Sequence, residues 1–131
     1  MKKIIALIVL VFAFLLVSCE GSSSPSGAKS NLEKDGYTVE VMNTTEAKAR
    51  IEGINFVVDP TNALLATKGK EDVVIIFYFN SIDEADKFVK ENITVMYRFA
   101  ERYSANPKTG YHNNAAYAGS QKACQTAGFP V

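Results

Sequence analysis

From Tyr37 to Met42 apolar and polar residues alternate, with β-branched side chains among them, which predicts a strand carrying Tyr37, Val39 and Val41 on one face. Asp35-Gly36 supplies a turn before it. Asn43 stands three residues ahead of Glu46, the spacing of a capping box, and Ala47, Ile51 and Ile54 then share one face of a short helix that stops near Gly53. Asn55 to Val58 is apolar and of open assignment, and Asp59-Pro60 breaks it, because the residue before a proline is pushed out of the helical region. Ala63 to Thr67 and Asp72 to Phe79 read as two strands joined by the polar turn Lys68 to Glu71. The second is apolar at every position from Val73 to Phe79, the pattern of a central strand covered on both faces.

Ser81-Ile82-Asp83-Glu84 is a second capping box. Behind it Ile82, Ala85, Phe88, Val89, Ile93, Met96, Phe99, Ala100 and Tyr103 recur at three- and four-residue spacing, which predicts a long amphipathic helix closed by Asn106-Pro107. A bend is expected near Asn92 to Val95, where β-branched residues lower helix propensity. Asn113 to Ala118 follows as a short strand whose small residues suit a sheet edge. Ser120 caps a last helix, Gln121 to Ala127, ended by Gly128 in a left-handed conformation that folds Phe129 back on Cys124.

This order predicts an α+β domain over residues 32–131, and it resembles the split β-α-β arrangement of ferredoxin-like folds, βαββαβ, with an added short C-terminal helix. The resemblance implies a sheet with the first and third strands at its centre and two crossover helices on one face. Val74, Ile76 and Tyr78 are as apolar as the residues alternating with them, so the second face needs cover as well. The final helix, the Asn55 to Val58 segment, a second subunit in a homodimer or a protein partner could supply it. The intramolecular covers are the simpler choice, and Val74, Ile76 and Tyr78 are the candidate interaction face.

Ahead of the domain the pattern changes. Lys2 and Lys3 precede an unbroken apolar run of 14 residues, Ile4 to Val17. A membrane span takes roughly 20 residues, so the run is too short for one, but it fits the apolar region of an export signal, about 7 to 15 residues. Leu16-Val17-Ser18-Cys19 resembles the lipobox of bacterial lipoproteins. That likeness covers residues 1–20. It implies a signal helix over residues 1–18, cleavage between Ser18 and Cys19, diacylglyceryl transfer to the Cys19 thiol, and a membrane anchor through acyl chains such as palmitate. It also implies an extracytoplasmic location, on the cell membrane of a monoderm or the outer membrane of a diderm, since Glu20 is not the aspartate that favours inner-membrane retention. Residues 19–31, rich in serine and glycine, are expected to form a flexible tether with a reach of roughly 20 Å.

Charge and chemistry narrow the function only by exclusion. Loss of residues 1–18 removes Lys2 and Lys3 and leaves 12 basic against 14 acidic side chains, so no basic field invites nucleic acid. Cys124 and His112 are the remaining thiol and the single imidazole, but a catalytic pair also needs an orienting third group, and the helix end gives Cys124 a packing role. Asp83, Glu84 and Asp86 answer the free N–H groups of a helix start rather than a metal. No zinc spacing, phosphate loop or Gly-x-Ser-x-Gly occurs in the domain, and no cofactor is implied. The stretch "YRFAERY", Tyr97 to Tyr103, could stack sugars or bases, but Phe99 and Tyr103 belong to the helix's core stripe and Arg98 and Arg102 to its solvated side. The chain therefore reads as a membrane-anchored, non-enzymatic binding or interaction module, with a small envelope enzyme using Cys124 or His112 as the alternative.

Overall fold

The computed structural model describes residues 25–131, and the export signal, Ser18 and Cys19 lie outside them. The order is α1 (Pro25–Lys34), β1 (Thr38–Asn43), α2 (Thr44–Arg50), β2 (Asn62–Lys68), β3 (Asp72–Tyr78), α3 (Ile82–Glu101), β4 (Pro107–His112), β5 (Ala115–Ser120) and α4 (Gln121–Ala127). The fold is α+β. One antiparallel sheet runs β1-β2-β3-β5-β4, and helices lie on both of its faces.

The apolar run of β3 explains the layering. Val74, Ile76 and Tyr78 point into one core with Leu64, Ala66, Tyr37, Tyr117 and the inner sides of α1 and α4. Ile75, Phe77 and Phe79 point into the other, with Met42, Ala47, Ala63 and the α3 residues Ala85, Phe88, Val89, Met96 and Ala100. In that second core the Phe88 ring lies 5.1 Å from Phe77 and 4.9 Å from Phe79, within the range of favourable aromatic pairing.

Several expectations are corrected. The first strand is at the edge of the sheet, not its centre. β1 leaves the sheet at Asn43 and the chain re-enters it at Asn62 on the opposing rung, so α2 and its loop form a wide antiparallel excursion rather than a crossover. The last segment is a hairpin, β4 and β5, with β4 outermost. The strand read as an edge, β5, is buried throughout between β3 and β4, and its small residues make room for α3, which lies across it.

Residues 25–31, expected as part of a flexible tether, are helical. Pro25, which tolerates the first helical turn, opens α1, and Ala28 and Leu32, four apart, are buried against α4, β1 and β2. Finally, the stripe of α3 is not purely apolar. Ile82 and Ile93 are exposed, whereas Asn92 is buried. Val41 is likewise exposed, beyond the reach of the cover that packs on Tyr37 and Val39.

The caps follow the sequence. Asn43 and Glu46 exchange both bonds of a capping box. Ser81 Oγ accepts from the Glu84 N–H, while the Glu84 carboxylate accepts from the Asn80 N–H instead of closing the box. At the end of α4, Gly128 sits at φ 109°, its N–H donates to the Gln125 carbonyl, and the Phe129 N–H donates to the Cys124 carbonyl, the pattern of a Schellman end.

Candidate functional site

The candidate interaction face is not a surface. Val74, Ile76 and Tyr78 are buried beneath α1, α4 and the C-terminal tail, so the cover is intramolecular: the final helix, joined by a helix the sequence reading assigned to the tether. Cys124 is buried in the same core, and Phe129, which returns over α4, stacks on Tyr117 with ring centroids 4.3 Å apart. Burial pushes the Cys124 thiol up to about 12, against a smaller opposing pull from Lys108. His112 pairs with Ala115 at the tip of the β4–β5 hairpin, whereas α4 starts at the other end, where Ser120 pairs with Pro107. The fold does not present these two residues as an accessible thiol–imidazole site.

A groove does form between the α2 excursion and the C-terminal half of α3. It begins with local chemistry in the loop. Ile51 ends α2 in an extended conformation, and Ile51, Ile54, Phe56 and Val58 turn inward on the core under the sheet. Asn92 fastens this loop to α3. Its side-chain oxygen accepts from the Asn55 N–H at 2.7 Å, and its amide donates to the Asn55 carbonyl and to the Phe88 carbonyl, each at 2.9 Å. The buried amide thus satisfies both backbone groups of Asn55, as a neighbouring strand would.

Against that fixed wall stand Val95, Arg98 and Phe99 of α3 with Arg102 and Tyr103 just past its end, and Arg50 at the end of α2 with Ile51, Glu52 and Gly53 of the loop. The hollow measures about 620 Å³, within the range of small-molecule sites, roughly 300–1,000 Å³. Its floor is apolar, and the Phe99 and Tyr103 rings form a tilted pair 5.3 Å apart. Arg50 is ion-paired with Glu40 on β1. The side chains of Arg98 and Arg102 have no hydrogen-bond or ion-pair partner among the described residues.

Three guanidiniums, one of them paired with Glu40, and the Glu52 carboxylate thus line one hollow with Ile51, Val95 and Phe99. Guanidinium forks hold pairs of carboxylate or phosphate oxygens in two-point contacts. The stretch Tyr97 to Tyr103 carried half of this arrangement in the sequence, but Arg50 and the loop wall could not be assigned to it without the Asn55–Asn92 pairing.

A second hollow, lined by Asp72, Ser104, Asn106 and Ser120, is polar; there the Ser120 hydroxyl donates to the Asp72 carboxylate at 3.1 Å and receives the Ala123 N–H, which accounts for both as a helix start. Among the described residues no cluster of His, Cys, Asp and Glu could hold a metal, and no helix is long and apolar enough to cross a membrane. No protein family, curated protein or solved structure matches this chain.

Proposed function

We propose that the protein is a membrane-anchored bacterial lipoprotein whose α+β domain works outside the cytoplasm as a binding module. The observation that carries this reading is Leu16-Val17-Ser18-Cys19 at the end of the apolar run. Two or three acyl chains anchor stably where one binds only marginally, at about 0.8 kcal/mol per buried CH₂. Because α1 starts at Pro25, the chain from Cys19 to the domain spans at most about 21 Å when fully extended, so the domain is held close to the bilayer surface. The groove between the loop and α3 supports binding over turnover, since its walls offer cations and rings rather than a nucleophile with a base beside it.

The test is the mass of the intact protein recovered from the detergent phase of producing bacteria. A chain that begins at Cys19 and carries a diacylglyceryl group is expected, and Cys19→Ala should accumulate at the full-length mass. Cleavage of that variant at the same bond, or an unmodified Cys19 in the native protein, would remove the proposal.

A further inference from the structure

We infer that the groove takes a soluble oxyanion, a carboxylate or phosphate monoester attached to an apolar or aromatic body. Its head bridges Arg98 and Arg102, and its body lies on Phe99, Val95 and Ile51. This deepens the binding-module reading and rests on it.

The charges point that way first. Arg98 and Arg102 have no carboxylate partner among the described residues, as is also true of Lys70, Lys87, Lys108 and Lys122; what sets the two arginines apart is that both line one hollow with a third arginine, Arg50. Arg98 and Arg102 sit one helical turn apart, where like charges oppose each other until an anion bridges them. Attraction of cations to a helix C-terminus accounts for basic residues in that turn. It does not account for Arg50, delivered by a different element to the same hollow, or for the hollow itself.

The walls select the rest of the ligand. Ile51, Val95 and Phe99 form a floor that favours an apolar body, and Tyr103 closes one end with a ring and a hydroxyl. Glu52 stands on the loop wall and repels a second negative group, which favours one anionic head at the α3 side over a polyanion.

Position then separates a soluble anion from a lipid headgroup. The chain enters the domain through α1, which packs on the sheet face of Leu64, Val74 and Ile76. Ile51 and Phe99 pack on the opposite face, with Phe77 and Phe88. The end of α1 that the chain enters by and the groove thus lie on opposite faces of the sheet, which favours a soluble anion over a headgroup.

The experiment is calorimetric titration of the full chain in dodecyl maltoside micelles with phenyl phosphate and 4-phenylbutyrate, against inorganic phosphate and phenol as head and body alone. The two joined probes should bind more tightly than either part. Arg98→Gln and Arg102→Gln should each weaken them by about tenfold or more, with unchanged melting temperature because both side chains are exposed. Lys87→Gln, an exposed cation elsewhere on α3, should leave binding as it was. No binding of either joined probe, or equal binding by the arginine variants and the native chain, overturns the inference. So does arginine-dependent binding to phosphatidylglycerol vesicles that displaces phenyl phosphate, which would make the site a headgroup site. Release of phenol from phenyl phosphate would instead overturn the non-enzymatic reading while leaving the groove in place. An unlipidated Cys19 would remove the anchor and leave these titrations untouched.

Discussion

Asn92 holds the groove open by doing for the loop what an adjacent strand does in a sheet. With 2% of its surface exposed it cannot be replaced by water, and its three hydrogen bonds end on the backbone of Asn55 and Phe88. Removing it takes the partner from the Asn55 N–H, while the Asn55 carbonyl keeps the Val57 N–H at 3.0 Å. Asn92→Ala should lower the unfolding free energy by about 2–4 kcal/mol, read by urea denaturation, and should speed hydrogen exchange at Asn55. Loss below about 0.5 kcal/mol would mean the loop is held by Phe56 and its apolar neighbours alone. Buried thiol and phenol groups set the response to alkali, Cys124 and Tyr37 among them, with burial raising Tyr78 and Tyr117 in the same direction. Burial pushes Cys124 up to about 12, and burial with the nearby Asp72 and Asp35 charges pushes Tyr37 up to about 12. Both are acids that ionise more readily in the unfolded chain, where thiols and phenols titrate near 9 and 10. Their protons are therefore held more tightly by the native state, and stability should be flat below about pH 9 and fall as pH rises from there toward 12. Denaturant midpoints between pH 8 and 11 would show this decline, and Cys124→Ala should delay its onset toward pH 10.

At the scale of elements, β5 shows where sequence pattern misleads. Ala115, Ala116, Ala118 and Gly119 read as an edge because small side chains bury little area, yet in this sheet smallness is what lets β5 lie in the middle under α3. Gly119 is the tightest point. A Cβ there would stand 2.2 Å from the Val73 carbonyl oxygen and 2.7 Å from the Val74 Cα, both backbone atoms of β3 that cannot turn aside. Gly119→Ala should therefore cost more than about 3 kcal/mol or leave the chain insoluble, beyond the range of ordinary single substitutions. A melting temperature within a few degrees of the native chain would contradict that packing. What was legible were features written in adjacent residues: the caps at Asn43, Ser81 and Ser120, the Gly128 ending and the apolar length of β3. What was not legible depended on distant partners. The exposure of Ile93, the burial of Asn92 and the return of the chain from Asn43 to Asn62 are decided by which surfaces meet, as is the meeting of Arg50 with Arg98 and Arg102.

For the whole molecule, the decisive question is what closes the second face of the sheet. By sequence alone that face is open to the final helix, the Asn55 to Val58 segment, a second subunit or a protein partner, over a domain of residues 32–131. The structure closes it with α4, the Phe129 tail and α1, so the first helix is a wall of the core. The difference matters for function as well. α1 covers one face of the sheet and the arginine groove lies on the other, while a domain without residues 25–30 would leave the cover of Ile76 and Tyr78 to α4 and the tail. The distinction can be tested with two soluble fragments, 25–131 and 31–131. The longer one keeps Ala28 and Leu32 in a continuous helix and should unfold cooperatively as a monomer. The shorter one loses Ala28 and most of the helix that positions Leu32, whose side chain is fully buried. A large-to-small change at such a site costs about 2–5 kcal/mol, a large part of the total stability of a domain this size. Fragment 31–131 should therefore melt at markedly lower temperature, bind an apolar dye and self-associate, and Leu32→Ala in the full chain should reproduce the loss in part. Equal melting of the two fragments would show that α4 and the tail cover the face unaided, and would return residues 25–30 to the tether.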